Sequence, residues 1–139
     1  MNTQQPMMGQ LLVGILLGSA LMLAGPAFAM GNAQKEISTA VEHAGYASTV
    51  KQVDKVHLHL HHVINCLVGP NGEGFYAAAG DPCKGQGSGA LNDITSSGRR
   101  KMDLEHALTL AKTGTEITAF KPAHNVALAV KELLQAAEK

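Results

Sequence analysis

The sequence predicts an all-α protein: a four-helix up-down bundle made of two helical hairpins, with a long glycine-rich loop between helices 2 and 3. Three observations carry this. Apolar residues recur at three- and four-residue spacing in four separate segments. Aromatic residues make up 4% of the chain and Trp is absent, so the core must come from Ala, Val and Leu, which suits closely packed helices. Between the second and third segments, residues 69–98 carry eight glycines, Pro70 and Pro82, and no apolar period.

Residues 1–29 read as a signal peptide. Leu11 to Ala24 is an uncharged apolar run, and Ala27-Phe28-Ala29 is a small-x-small cleavage signal. The run is short for a membrane span. No Lys or Arg precedes Lys35, so the usual basic start is missing, and retention as an N-terminal anchor in the inner membrane is the alternative. The expected domain is therefore residues 30–139, secreted into the periplasm.

The first helix is expected from about residue 32 to 48. Ile37, Val41, Ala44 and Ser48 make its buried stripe, with Ala40 and Ala47 beside it. Gly45 either weakens this helix or admits a close neighbour. The second helix is expected over 50–67. Val53, Val56, Leu60, Val63, Ile64 and Leu67 form its stripe, Thr49 and Gln52 offer a capping box, and Gly69-Pro70 end it. The third begins at a cap on Ser96 or Ser97, buries Leu104, Ala107, Leu108 and Ala111, and stops at Gly114. The fourth has Pro122 in its first turn and a long stripe of Ala123, Val126, Ala127, Val130, Leu133, Leu134 and Ala137.

Chemistry concentrates on the second helix. His57, His59, His61 and His62 supply four of the seven histidines within six residues. His57 and His61 are four apart and His59 and His62 three apart, so each pair shares a helix face and can grip one ion. His57 falls at the edge of the apolar stripe and His62 nearer the opposite side. Neutral imidazole is the commonest protein ligand for Cu, Ni and Zn, and affinity is expected to collapse below about pH 6 as the rings protonate. The remaining candidate ligands are His43, His106 and His124, with Asp54 and Asp103 as helpers or orienting partners.

Cys66 and Cys83 are the only cysteines. In an oxidising compartment they pair, closing a loop worth roughly 3 kcal/mol on the chain-entropy account. Their alternative is service as soft ligands for Cu(I) or Zn(II) beside the histidines. Eleven basic residues against eleven acidic ones leave no excess for a nucleic-acid partner. The segment Gly85-Gln86-Gly87-Ser88-Gly89 follows no strand and lacks a Lys-Ser/Thr ending, which argues against nucleotide binding. No Ser/His/Asp motif, no Glu-x-x-His pair and no Cys-x-x-Cys-His occur, so neither an enzyme nor a haem carrier is expected.

The two halves echo each other. Ala40-Val41-Glu42-His43-Ala44 matches Asp103-Leu104-Glu105-His106-Ala107, with a second histidine 19 residues on at His62 and 18 residues on at His124. On these Glu-His-Ala steps and their partner histidines, residues 36–66 and 101–130 resemble the small periplasmic histidine-rich metal-binding proteins of bacteria, which are four-helix bundles. The resemblance implies reversible binding of Cu(II), Ni(II) or Zn(II), a buffering or resistance role, and His43, His62, His106 and His124 as the matching positions. The chain departs from that family in its low histidine count, its cysteine-bounded glycine loop and its second hairpin, shorter by one residue. Low count points to one or two defined sites rather than bulk storage. The expected function is thus a periplasmic metal-binding protein that buffers or delivers Cu, Ni or Zn, with the metal ion and a periplasmic or membrane protein as partners. The alternative is a metal-free interaction module that uses the disulfide-pinned loop 69–98.

Overall fold

The computed structural model describes Met1 and residues 31–139; residues 2–29 of the expected signal peptide, with its apolar run and cleavage signal, lie outside the described residues. The described chain is all-helical: α1 (Ala33–Ala47), α2 (Val53–Val68), a 3-10 turn η1 (Ala77–Ala79), α3 (Ala90–Asp93), α4 (Arg99–Glu116) and α5 (Phe120–Glu138). Among the described residues no helix is long and apolar enough to cross a membrane.

The Asn32 side chain starts α1 by accepting the Lys35 N–H at 2.9 Å, which satisfies one of the free donors of the first turn. Ile37, Ala40, Ala44 and Ala47 are its buried apolar residues, while Val41 is only partly covered. Nothing lies within 4 Å of where a Cβ on Gly45 would point, so no neighbour approaches there.

The expected capping box on α2 does not form. The Thr49 hydroxyl donates to the Tyr46 carbonyl and so closes α1 instead. Gln52 is extended, makes no side-chain cap, and α2 begins at Val53 rather than at 50. The reason is position: Gln52 holds the cap place of α2, so Thr49 lies three residues ahead of it and next to the free carbonyls that end α1. Gly69 ends α2 as expected, at φ 70°, with its N–H on the Asn65 carbonyl at 2.9 Å.

The segment 69–98 is not featureless. It contains η1 and α3, and the Cys66–Cys83 disulfide closes its first part, with Cα atoms 5.2 Å apart. A Cβ on Gly69 would fall 1.8 Å from the Ser88 carbonyl oxygen, so only glycine lets the end of α2 touch the chain entering α3.

Two expectations for α4 are corrected. Neither Ser96 nor Ser97 caps it; Gly98, at φ 95°, takes the cap position without a side-chain bond. Gly114 does not end the helix, which continues to Glu116. It is buried, and a Cβ there would meet Leu60 Cδ1 at 2.5 Å and Val126 Cγ1 at 3.1 Å. Its function is a close approach of three helices rather than a stop signal.

The long helices pack in a ring of contacts: α1 on α2 and α5, and α4 on α5 and α2, with α3 wedged against α1 and α2. The core is small and aliphatic: Ala40, Ala44, Ala107, Ala111, Ala123, Ala127 and Ala137 alternate with Val56, Leu60, Val63, Leu67, Leu104, Val130 and Leu134, all fully buried. Each buried Leu or Val is worth roughly 1.5–3 kcal/mol, and the alanines let the helix axes close in. The α1–α2 contact is the one that matters for chemistry, because it sets His43 opposite the histidine run.

Candidate metal centre

His43 on α1 and His59 and His62 on α2 converge. Their Nδ1 atoms face one another: His62 to His43 at 3.1 Å and His43 to His59 at 3.3 Å. One ligand atom from each of the three lies within 4.8 Å of the others, and all three rings are half-buried. A tetrahedral ion with metal–nitrogen bonds of about 2.0–2.1 Å holds its ligand nitrogens about 3.3–3.4 Å apart. The separations of 3.1 and 3.3 Å match that spacing, and the third lies within 4.8 Å.

The hydrogen bonding prepares the donors. His62 Nε2 lies 2.6 Å from the Ala79 carbonyl oxygen. A carbonyl only accepts, so Nε2 carries the proton and the neutral ring presents an Nδ1 lone pair to the cluster. Burial, followed by the charges that His62 and His59 could carry, pushes His43 down to about 4. Burial, then His62 and Lys55, also lowers His59. Rings that resist protonation remain available as metal donors.

The other four histidines go elsewhere. At 3.6 residues per turn, His57 and His61 lie about 160° around α2 from His59 and cannot join it. His57 Nε2 donates instead to the Ile117 carbonyl at 2.8 Å, tying α2 to the α4–α5 connection. The His61 ring rests on Tyr76 with centroids 4.5 Å apart, and its buried Nδ1 has no protein partner. His124 Nε2 donates to the Ser48 carbonyl at 2.9 Å and its ring packs by Phe120. His106 is exposed on α4. The internal echo thus holds for the first hairpin, where His43 meets His62, and is not matched by a second site at His106 and His124. Asp54 is exposed at the start of α2, and Asp103 is buried in α4. Neither belongs to the three-residue group. Both cysteines are consumed in their mutual disulfide, so neither is a thiolate ligand.

Sequence reasoning passed over Asn65, which is fully buried. Its side-chain amide donates to the carbonyls of Tyr76 at 3.0 Å and Gly80 at 2.6 Å, and its oxygen accepts the Tyr76 N–H at 2.8 Å. The available signal was a lone amide inside the apolar run Val63-Ile64-Asn65-Cys66-Leu67. Tyr46 was also passed over; it borders the site, its ring 5.3 Å from His59 and its hydroxyl bonded to Glu42 at 2.5 Å. No family model matches this chain, and neither a curated protein nor a solved structure shows significant similarity to it.

Proposed function

We propose that the protein is an exported metal-binding protein that holds one divalent transition-metal ion through His43, His59 and His62, and buffers or delivers it. The observation that carries this reading is the convergence of three Nδ1 atoms from two helices at separations of 3.1 and 3.3 Å. An all-nitrogen, neutral donor set suits Zn(II), Cu(II) or Ni(II) better than a soft ion such as Cu(I). Three protein ligands on a four-coordinate ion would leave one position open, which suits an ion that must be passed on to a periplasmic or membrane protein. The four long helices, each packed on at least two others, support a four-helix up-down bundle as the scaffold. The N-terminal apolar run with its Ala27-Phe28-Ala29 signal supports a periplasmic address.

Calorimetric titration of the purified protein with Zn(II), Cu(II) and Ni(II) at neutral pH tests the proposal. One equivalent is expected to bind. His43→Ala or His59→Ala is expected to weaken binding by about 100-fold or more, since loss of even an orienting partner costs 10–100-fold. His106→Ala serves as the control and leaves binding unchanged. Equal binding by all three variants, or none by the native chain, refutes the assignment.

A further inference from the structure

The loop between α2 and α3 is built onto the same helix face that carries His62. Asn65 and Cys66 follow His62 by three and four residues, so both project within about 60° of it. Each is tied to the loop: Asn65 clamps Tyr76 and Gly80 through three hydrogen bonds, and Cys66 is joined to Cys83. Between those anchors sits η1, whose last carbonyl, on Ala79, has no partner within its own turn. That carbonyl receives the His62 Nε2–H at 2.6 Å. Gly80 lets the chain leave η1 at φ 91°, and a Cβ on it would lie 3.9 Å from His62 Nε2.

We infer that Asn65 and the Cys66–Cys83 bond tune the metal site from outside it, by holding the Ala79 carbonyl where it locks His62 as an Nδ1 donor. This rests on the metal-binding reading of the His43–His59–His62 cluster, and adds a positioning role for residues that touch no ion. A neutral imidazole in solution exchanges its proton between the two nitrogens. A ring with the proton on Nδ1 has no lone pair there to give. The clamped carbonyl removes that competing form and fixes the ring plane, as hydrogen-bonded partners of metal-binding histidines do elsewhere. The glycine-rich loop is then part of the metal centre.

The test has a metal-free arm and a metal arm. In the native, metal-free protein, imidazole nitrogen NMR shifts are expected to show His62 as a single Nε2–H tautomer. An Nδ1–H or freely exchanging ring overturns the inference whether or not the protein binds metal. For the second arm, Asn65→Ala and the double variant Cys66→Ala/Cys83→Ala are compared with the native chain by competition for Zn(II) against a colorimetric chelator. Circular dichroism confirms that the variants compared retain their helices. Each folded variant is expected to show mixed His62 tautomers and Zn(II) binding weakened about 10–100-fold. Native affinity with an unchanged His62 tautomer in a folded variant overturns the inference. Absence of Zn(II) binding by the native chain defeats the metal assignment instead, and leaves the tautomer measurement to judge the clamp.

Discussion

At the residue scale, Glu36 is the charge placed most against its interest. It is 1% exposed; one carboxylate oxygen accepts the Gly89 N–H at 2.9 Å and the other is buried without a partner. Burial, aided by the neighbouring Asp93 charge, pushes it up to about 7 although the Gly89 bond opposes this. Asp93 is also desolvated, but the Ser88 hydroxyl and N–H bonds outweigh that and hold it below the usual carboxylate range. Near pH 6 the pair therefore keeps its proton on Glu36 and its charge on Asp93. Because the folded pKa of Glu36 lies above its unfolded value, its contribution is full below about 4.5 and is lost as pH rises through about 7. Urea denaturation is expected to show stability falling by up to about 1.4 kcal/mol per pH unit over that window. Glu36→Gln is expected to flatten the slope and to be the more stable protein at pH 8. An identical slope in the variant would assign the pH dependence to another group.

His43 carries the opposite sign and bears on metal rather than on folding alone. Its pKa, pushed down to about 4 by burial and then by the charges His62 and His59 could carry, means protons compete for its Nδ1 only as pH falls toward that value. The His43 donor is therefore expected to remain available to an ion below pH 6, the value an ordinary histidine would set. Dissociation constants for Zn(II) measured at pH 7, 6 and 5 check this; complete release by pH 6 would contradict it.

At the scale of elements, two helical glycines that look alike in sequence do different things. Gly45 in α1 faces open space, whereas Gly114 in α4 sits where Leu60 of α2 and Val126 of α5 converge. Gly45→Ala is expected to stabilise the protein by about 0.5–1 kcal/mol, the difference in helix propensity. Gly114→Ala gains the same propensity but must displace a packed core, which costs typically 1–3 kcal/mol. It is expected to lower the melting temperature. Thermal melts of the two variants give changes of opposite sign if the helix contacts are as described.

The same scale explains which histidines became a site. A four-histidine run on one helix cannot converge on itself, because side chains turn about 100° per residue. α1 selects His59 and His62 by packing along that side of α2 and bringing His43. Thr49 shows the same logic in miniature: its hydroxyl is suited to either helix end nearby, and the geometry of the connection gives it to α1.

At the scale of the whole molecule, the proposed metal site ties ion binding to folding. The three clustered histidines come from two helices joined through the core, so an ion that bound only the assembled pair would stabilise the fold by mass action, by about 2.7 kcal/mol at 100 times its dissociation constant. Differential scanning of the native chain with excess Zn(II) is expected to raise the melting temperature by several degrees, and His59→Ala is expected to lose that rise. A rise of equal size in His59→Ala would place the stabilising ion elsewhere.

Much was settled by sequence alone: four long helices, their buried stripes, the end of α2 at Gly69 and the pairing of two lone cysteines. These follow from local periodicity and from the small number of possible partners. The His43–His62 pairing was also legible, through the Glu-His-Ala echo and a 19-residue interval. Tertiary structure decided the rest: that three histidines of seven meet, that Gly114 is a contact instead of a stop, and that Asn65 organises the loop against His62. Each of these depends on which face of one helix lies against another, and helical period says only which residues share a face, not what that face will meet.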